Sequence, residues 1–440
     1  MNIGENNTRI AKERRSTSRN RRFVFPLLLL ALVPLTACDA LLEAELPGQV
    51  TDDALNAPEL AETLVAGAQA DFECGYQGHL LGVEAGFANV FQYVIFQIEM
   101  IQIANRQPRL IEYGAGECAS NRDPIWFIMQ RGRVQAADAS RRILEEMDAA
   151  EVEDLDFLVG KAFAYEGYAT QFLSEAWCEV VFDGSGVTVS RAVGMAQAEA
   201  RFTSALTYSQ TALAGARAAE AQDIIDLALV GRARSRLNQG NTAGALLDAG
   251  AVTPGFVYNA TYETSPGRRA NMVQRLEDGF NVHPRDRALM VGGVPDPRVP
   301  VENIGLHSSS GVGDWWVQRK YADDGSDLPF ASWREAQLII AEADPAQSVA
   351  IINLLRTDPS GLHSELDSSG WPLPAYVDAG APANAAAVLE ERRRELYLQG
   401  VEMGDDQRSG QFALWDTGTS PVNAPIGDLT CLPLPEVEFF

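Results

Sequence analysis

The chain of 440 residues carries 60 acidic against 35 basic side chains, a net charge of −25 at pH 7, and 46% of its residues are hydrophobic. So acidic a protein repels phosphates, which makes nucleic acid and anionic lipid headgroups poor partners and leaves a neutral ligand or another protein's basic surface open. The length suffices for one large domain or two ordinary ones.

In chain order, Lys12, Arg14, Arg15, Arg19, Arg21 and Arg22 precede thirteen mostly apolar residues, Phe23 to Leu35, followed by Thr36, Ala37 and Cys38. A run of that length cannot span about 30 Å of hydrocarbon, so it reads as the core of a signal peptide. Small residues just before a lone cysteine form a lipobox. Residues 1–37 are therefore expected to be removed, and Cys38 to become a lipid-bearing N-terminus. The leader holds seven basic and two acidic residues, so its loss takes the net charge to −30. Membrane attachment then rests on the lipid and not on charge. Residues 38–57 read as an acidic tether, with a turn at Pro47-Gly48.

From Pro58 to about Phe72, Leu60, Leu64, Val65 and Ala68 recur at helical spacing, and Gly75 to Gly86 is expected to break that helix. Further helices are expected at 87–104, 125–147, 155–179, 195–219, 221–237, 243–249, 332–343, 346–356 and 385–398. Strand signals before residue 250 are few. Ala228-Leu-Val-Gly231 through Gly240 to Leu247 resembles a tetratricopeptide helix pair, with small residues where two helices approach and a glycine between them. Several such pairs in succession make a superhelical array.

Residues 252–330 differ in kind. Pro254, Pro266, Pro284, Pro295, Pro297 and Pro300, with many Gly and Ser, interrupt every periodic run. Short β pieces are expected at 255–258 and 314–321. Helices resume afterwards without a linker, so 58–440 reads as a single domain whose irregular insert spans about 252–330. A stretch of this kind inside one domain is usually functional.

Apart from Cys38, four cysteines remain: Cys74, Cys118, Cys178 and Cys431. An even number in an exported chain suggests two disulfides, and no CxxC spacing points to zinc. Cys74 ends the first helix and Cys118 opens the loop before the helix at Ile125, which favours Cys74 with Cys118 and leaves Cys178 with Cys431. Catalysis has little to stand on. His79, His283, His307 and His363 are scattered, and neither a Gly-x-Ser-x-Gly elbow nor a phosphate loop occurs. No enzyme activity, cofactor or catalytic metal is expected. Asp323-Asp-Gly-Ser-Asp327 is a fragment of a calcium-type loop that lacks the spacing and closing Glu of an EF-hand, and it reads better as a polar turn before Pro329.

Near the C-terminus, Leu389-Glu-Glu-Arg-Arg-Arg-Glu-Leu396 is a helix charged round most of its girth, with i,i+3 and i,i+4 pairs along it. Spacing alone leaves both a solvated face and internal ion pairs open. Glu391-Arg392-Arg393-Arg394-Glu395-Leu396, followed by Gly400, Asp405, Arg408 and Gly410, resembles the last long helix of the SusD/RagB family of nutrient-binding outer-membrane lipoproteins. Leu41-Leu42 through Pro47-Gly48-Gln49-Val50 resembles that family's opening. Asp296-Pro297-Arg298, Lys320-Tyr321, Trp333 with Glu335 and Ala341-Glu342-Ala343, Asn353 with Arg356, and Leu432-Pro433-Leu434-Pro435 are similar to its later motifs, in the same order. Ser332, Gln399, Glu402 and Met403 depart from the pattern, which puts the internal ion pairs of the last long helix in doubt.

The resemblance implies a mainly α fold, a tetratricopeptide-like right-handed helical array of SusD type with a partly β insert. It also implies a cell-surface lipoprotein of the outer membrane that captures a nutrient, most often a glycan, and passes it to a TonB-dependent transporter of the SusC type. A tetratricopeptide-like scaffold lipoprotein facing the periplasm is the alternative. A sugar offers C–H faces ringed by hydroxyls, so its binder needs an aromatic plane beside donors and acceptors. Trp315 and Trp316 with Asp314, Gln318 and Arg319, joined by Trp371 and Tyr76 from other loops, are the candidates. Packing, or contact with the transporter, is the other use of the two adjacent tryptophans.

Overall fold

Pro58 stands in the turn before the first long helix, where its missing N–H and fixed φ cost nothing. The computed structural model describes residues 51–94, 98–107, 125–183, 186–264, 270–275, 277–307, 311, 313–362, 366 and 368–435. Its helices are α1 (Ala61–Gly78), α2 (Ile98–Ala104), α3 (Ile125–Glu145), α4 (Leu155–Ala176), α5 (Arg191–Ala212), α6 (Ala218–Asn238), α7 (Thr242–Ala249), α8 (Met272–Arg275), α9 (Trp333–Ala343), α10 (Ser348–Thr357), α11 (Ala381–Glu395) and α12 (Glu402–Ser409). The leader and Cys38 lie outside the described residues. Asp52 to Phe440 is one compact unit. It takes in part of the expected tether: Asp53–Asn56 is a 3-10 turn, and Arg142 of α3 donates to Asn56 Oδ1 at 2.8 Å.

Helices α1 and α3 to α7 form the tetratricopeptide-like array, each packing on its sequence neighbours. Small residues set the spacing. A Cβ on Gly167 of α4 would lie 2.7 Å from the Phe202 ring of α5, and one on Gly231 of α6 would lie 2.4 Å from it, so the two glycines form the slot that this ring fills. Gly75 does not break α1 as expected. Its bare Cα faces the Met129 backbone of α3, the helix runs on to Gly78, and a π-helix follows over His79–Phe87. The π-helix carries two ionisable groups into the interior, His79 at its start and Glu84 in its middle. Burial lowers His79 to about 3 and raises Glu84 to about 8, so both are neutral at pH 7.

The strands are short and paired. They are β1 (Phe91–Tyr93), β2 (Glu179–Val180), β3 (Val189–Ser190), β4 (Val257–Ala260), β5 (Phe280–Val282), β6 (Met290–Val291), β7 (Val294–Pro295), β8 (Val301–Gly305), β9 (Trp315–Gln318) and β10 (Leu328–Ser332). The pairs β1–β5, β2–β3, β4–β10, β6–β7 and β8–β9 are all antiparallel. The helix expected over 87–104 is replaced at its start by β1, because Asn89 turns the chain at φ 56° and the alternating Phe91 and Tyr93 pack on Phe280 of β5. Helix α5 begins at Arg191, earlier than expected, where Ser190 Oγ accepts from the Val193 N–H.

Array and insert share one core. Phe330 of β10 enters the array with ring centroids 5.1 Å from Phe72, 5.0 Å from Tyr168 and 5.4 Å from Tyr76. Cys178 is bonded to Cys431 with Cα atoms 5.1 Å apart, the expected pairing, and it ties the end of α4 to the C-terminal segment. Cys74 is likewise disulfide-bonded, and Cys118 lies outside the described residues.

Candidate functional site

The charged stretch of α11 is an interior element. Glu391, Arg392 and Glu395 are buried, and Glu390, Arg393 and Arg394 are half-buried. Arg298, fully buried, donates to both oxygens of Asp296 at 2.9 and 2.8 Å, to Glu391 at 2.5 Å and to Glu395 at 3.3 Å. Arg356 adds a bond to Glu391, and Arg334 one to Glu395. Arg392 holds Asp405 through two bonds of 2.8 Å, and Arg408 holds Glu342 at 2.7 and 2.8 Å. Burial alone would depress the Arg298 guanidinium, but Glu391, Asp296 and Glu395 hold it well above its ordinary value. Burial would raise the Glu395 carboxyl, and Arg334 with Arg298 outweighs it and keeps it low.

The doubt that the sequence departures cast on these ion pairs is thereby corrected. Glu402 is itself partnered, by Arg285 at 2.6 Å, and Met403 fills an apolar place in the core. Gln399 donates to the Glu395 carbonyl at 3.3 Å. Ser332 caps α9 by accepting from the Glu335 N–H at 3.1 Å, while the Glu335 carboxylate takes Arg234 from the array at 2.6 and 2.7 Å.

The network braces a cleft of about 620 Å³, lined by Pro295, Pro297 and Pro300 from one segment and by Gly370, Pro372 and Pro374 from another. Both segments hang on the same carboxylate. Arg298, next to Pro297, binds Glu391, and so does Arg356, whose Nη1 donates to the Pro374 carbonyl at 2.9 Å. Leu373 N–H donates to the Arg356 carbonyl at 2.6 Å, and the Trp371 indole N–H to the Leu355 carbonyl at 3.1 Å. A Cβ on Gly370 would lie 2.8 Å from Pro297, so the two segments touch and only glycine allows it. The cleft is thus preorganised, with little ordering left for a ligand to impose.

The seven residues expected to form a sugar site do not come together. Tyr76 is wholly buried, with its hydroxyl donating to the Pro329 carbonyl at 2.6 Å, because its ring is needed in the core beside Phe172 and Phe330. Gln318 is buried too: its Oε1 accepts from the Lys320 and Tyr321 N–H groups at 2.8 and 2.9 Å, and its amide nitrogen donates to Gln274. Both are corrections to the expectation. Trp315 and Trp316 are half-buried. Trp316 packs on the core, while Trp315 donates from its indole N–H to the Phe280 carbonyl at 2.8 Å and meets the His307 ring at 4.4 Å. Asp314, exposed at φ 51°, accepts from Asn303 at 3.0 Å.

Arg319 lies at the other end of β9, roughly 13 Å along the strand from Trp315, and lines the cleft. Trp371 sits between two further lining residues. The candidates therefore divide between the tip of the β8–β9 hairpin, with Asp314 and Trp315, and its base, with Arg319 and the Trp371 segment. The proline walls are not legible in the sequence, where Pro295, Pro297 and Pro300 read as interruptions and Pro372 and Pro374 carry no signal. Asp296-Pro297-Arg298 was the signal at hand. The side chains of Asp323 and Ser326 accept backbone N–H groups of their own loop, and Asp327 accepts the Tyr262 N–H. Among the described residues no group of three His, Cys, Asp or Glu is placed to hold a metal ion.

No protein-family model matches the chain, and no curated protein matches it in sequence. Solved structures do match in shape. A SusD homologue from Bacteroides thetaiotaomicron superposes with a TM-score of 0.61 at 13% identity, covering 88% of this chain and 95% of its own. Surface glycan-binding protein A from the same species, solved with laminarihexaose, gives a TM-score of 0.62 at 11% identity, over 87% and 97%. A SusD-like carbohydrate-binding protein from Bacteroides vulgatus gives 0.53 at 13% identity, over 80% and 83%. Likeness over four fifths or more of each chain means that this chain has the SusD-like fold.

Proposed function

We propose that this protein is a SusD-type outer-membrane lipoprotein, anchored through Cys38 and facing the cell surface, that captures a glycan and hands it to a TonB-dependent transporter of the SusC type. The observation that carries the reading is the near full-length likeness to SusD-like structures, one of them solved with a glucan hexasaccharide. The lipobox at Cys38 and the rigid cleft beside the insert support it, the first as an anchor and the second as a preformed concave site. The role is binding without turnover.

The test has three parts. The protein without its leader should be retained on a glycan array, and a chain that holds no saccharide there sinks the carbohydrate reading. In its own host, Cys38→Ala should release soluble protein or leave the precursor uncut. Protease added to intact cells should digest the wild type, and full protection would favour the periplasmic scaffold instead.

A further inference from the structure

We propose that the open edge of β8 takes up one further strand, an extended basic segment of another protein. This goes beyond the glycan reading and does not depend on it. The Arg319 N–H donates to the Pro300 carbonyl at 2.8 Å, which makes these two residues a hydrogen-bonded pair at the base of the β8–β9 hairpin. Bonded and non-bonded pairs alternate along an antiparallel ladder. Glu302 and Val317 are therefore the next bonded pair, while Val301 and Asn303 turn their N–H and C=O groups away from β9. No described residue takes up these groups. Glu302, Asn303, Ile304 and Gly305 are all exposed, whereas β5 and β10 are buried along their whole length. The far edge of β9 is covered in the way β8 is not, since its Trp316 N–H donates to Asn281 Oδ1 of β5 at 2.8 Å.

Alternating donors and acceptors at strand spacing are answered by another extended backbone, which is the chemistry of strand addition. Proteins blunt such edges with prolines, bulges and charges. Here Pro300 precedes Val301 and the bulge falls beyond Asn303, so the groups of both residues stay usable. Ile304 and Leu306, 41% and 69% exposed, add apolar side chains at the end of the strand for an occupant to cover. Charge then selects the occupant. A chain of net charge −25 favours a basic segment, both in steering and in contact. A second copy of this chain is opposed twice. It carries the same charge, and the antiparallel register that uses Val301 and Asn303 of both copies sets Glu302 directly opposite Glu302. Pro300 and Arg319 at the base of the hairpin line the cleft, so the added strand borders the cleft without filling it.

Three end-capped hexapeptides test the inference on the protein without its leader: alternating lysine and valine, the same sequence with every backbone nitrogen methylated, and alternating glutamate and valine. The first should bind. The methylated peptide keeps the charge and loses the donors, so its affinity should be lower by roughly tenfold or more, and the glutamate peptide should not bind. With the first peptide bound, amide hydrogen exchange should slow at Val301 and Asn303 and stay as it was at Glu302, whose N–H already serves β9. Asn303→Pro removes one outward N–H at an edge position that tolerates proline, and Ile304→Lys sets a positive charge against a basic strand without removing a backbone bond. Each should weaken the first peptide, and Ile304→Lys should do so with an unchanged melting temperature, so it decides alone if Asn303→Pro unfolds the hairpin. No binding of the first peptide, equal binding of its methylated form, unaltered exchange at Val301 and Asn303, or full affinity in Ile304→Lys overturns the inference. A dimer in sedimentation that Ile304→Lys disperses also overturns it, by assigning the edge to a second copy. Retention of saccharide on the glycan array is unaffected by any of these outcomes and tests the glycan reading separately.

Discussion

The helical array and the segment from α9 to α12 are held together by opposite chemistry. In the array, Phe72, Tyr165, Tyr168, Phe172 and Phe202 pack ring against ring, and glycines give them room. Around α11 the interior is ionic: Arg298, Arg334 and Arg392 are each almost wholly buried, each against carboxylates. Aromatic packing is non-directional and tolerates a shift of a few tenths of an ångström. A buried guanidinium fork does not, since each N–H must meet an oxygen or remain unpaired. The difference teaches where precision is spent. The array supplies bulk and stability, while the ionic half fixes two segments, 294–300 and 368–374, as the walls of a cleft.

Substitutions can break that contrast, the largest effect first. Arg298→Ala leaves Asp296, Glu391 and Glu395 facing one another without the central cation, and should cost about 3–5 kcal/mol in urea unfolding. A loss below 1 kcal/mol would mean that the network is not what holds the walls. Conservative changes sharpen the comparison. Arg298→Lys keeps the charge and loses the fork, so about 2–3 kcal/mol is expected, against about 1 kcal/mol for Phe330→Leu in the aromatic core. Equal costs would erase the distinction drawn between the two halves.

Acid should act on the ionic half. Burial works against the Asp405 carboxylate, but Arg392 and Arg408 overcome it and bring the group from 3.8 down to about 2. A group depressed on folding stabilises above its unfolded pKa, and that contribution, about 2 kcal/mol here, is lost as pH falls from about 4 to about 2. Urea midpoints between pH 5 and pH 2 should fall less steeply in Asp405→Asn than in the wild type, and parallel slopes would remove Asp405 from the account. The smallest effect is expected at the seam between the halves. Ser332→Ala removes the N-cap of α9, with a cost of about 1 kcal/mol and no change in glycan binding, since the cap is buried away from the cleft.

Periodicity made the array legible. Apolar residues at helical spacing placed α1, α3, α4, α6 and α7 to within a turn at most ends, and the punctuation by proline and glycine marked the irregular insert. Helix α12 escaped, because Glu402–Ser409 has almost no apolar residue to set a period and is held by Asp405 and Asp406 pairing inward with Arg392 and Trp415. Gly75 was misjudged for a related reason. A glycine in sequence is the same letter whether it ends a helix or lets two helices touch, and only the α3 backbone opposite decides.

Taken alone, the residues determine the helical class and the net negative charge, which follow from local composition and spacing, and they lead to the expectation of a leader ending in a lipobox at Cys38. They also pointed to the pairing of Cys178 with Cys431, largely by elimination. Tertiary structure decided what the charged helix does and where a ligand fits. The pattern Glu-Glu-Arg-Arg-Arg-Glu reads alike on a solvated face and in an ionic core, because the partners that settle it, Arg298, Arg334 and Arg356, lie far away in sequence and arrive only when the chain folds. The same holds for the candidate site. Tyr76 and Gln318 are surface-worthy by residue type and were taken inward by their neighbours, while prolines that looked like interruptions became walls once Glu391 bound both segments that carry them.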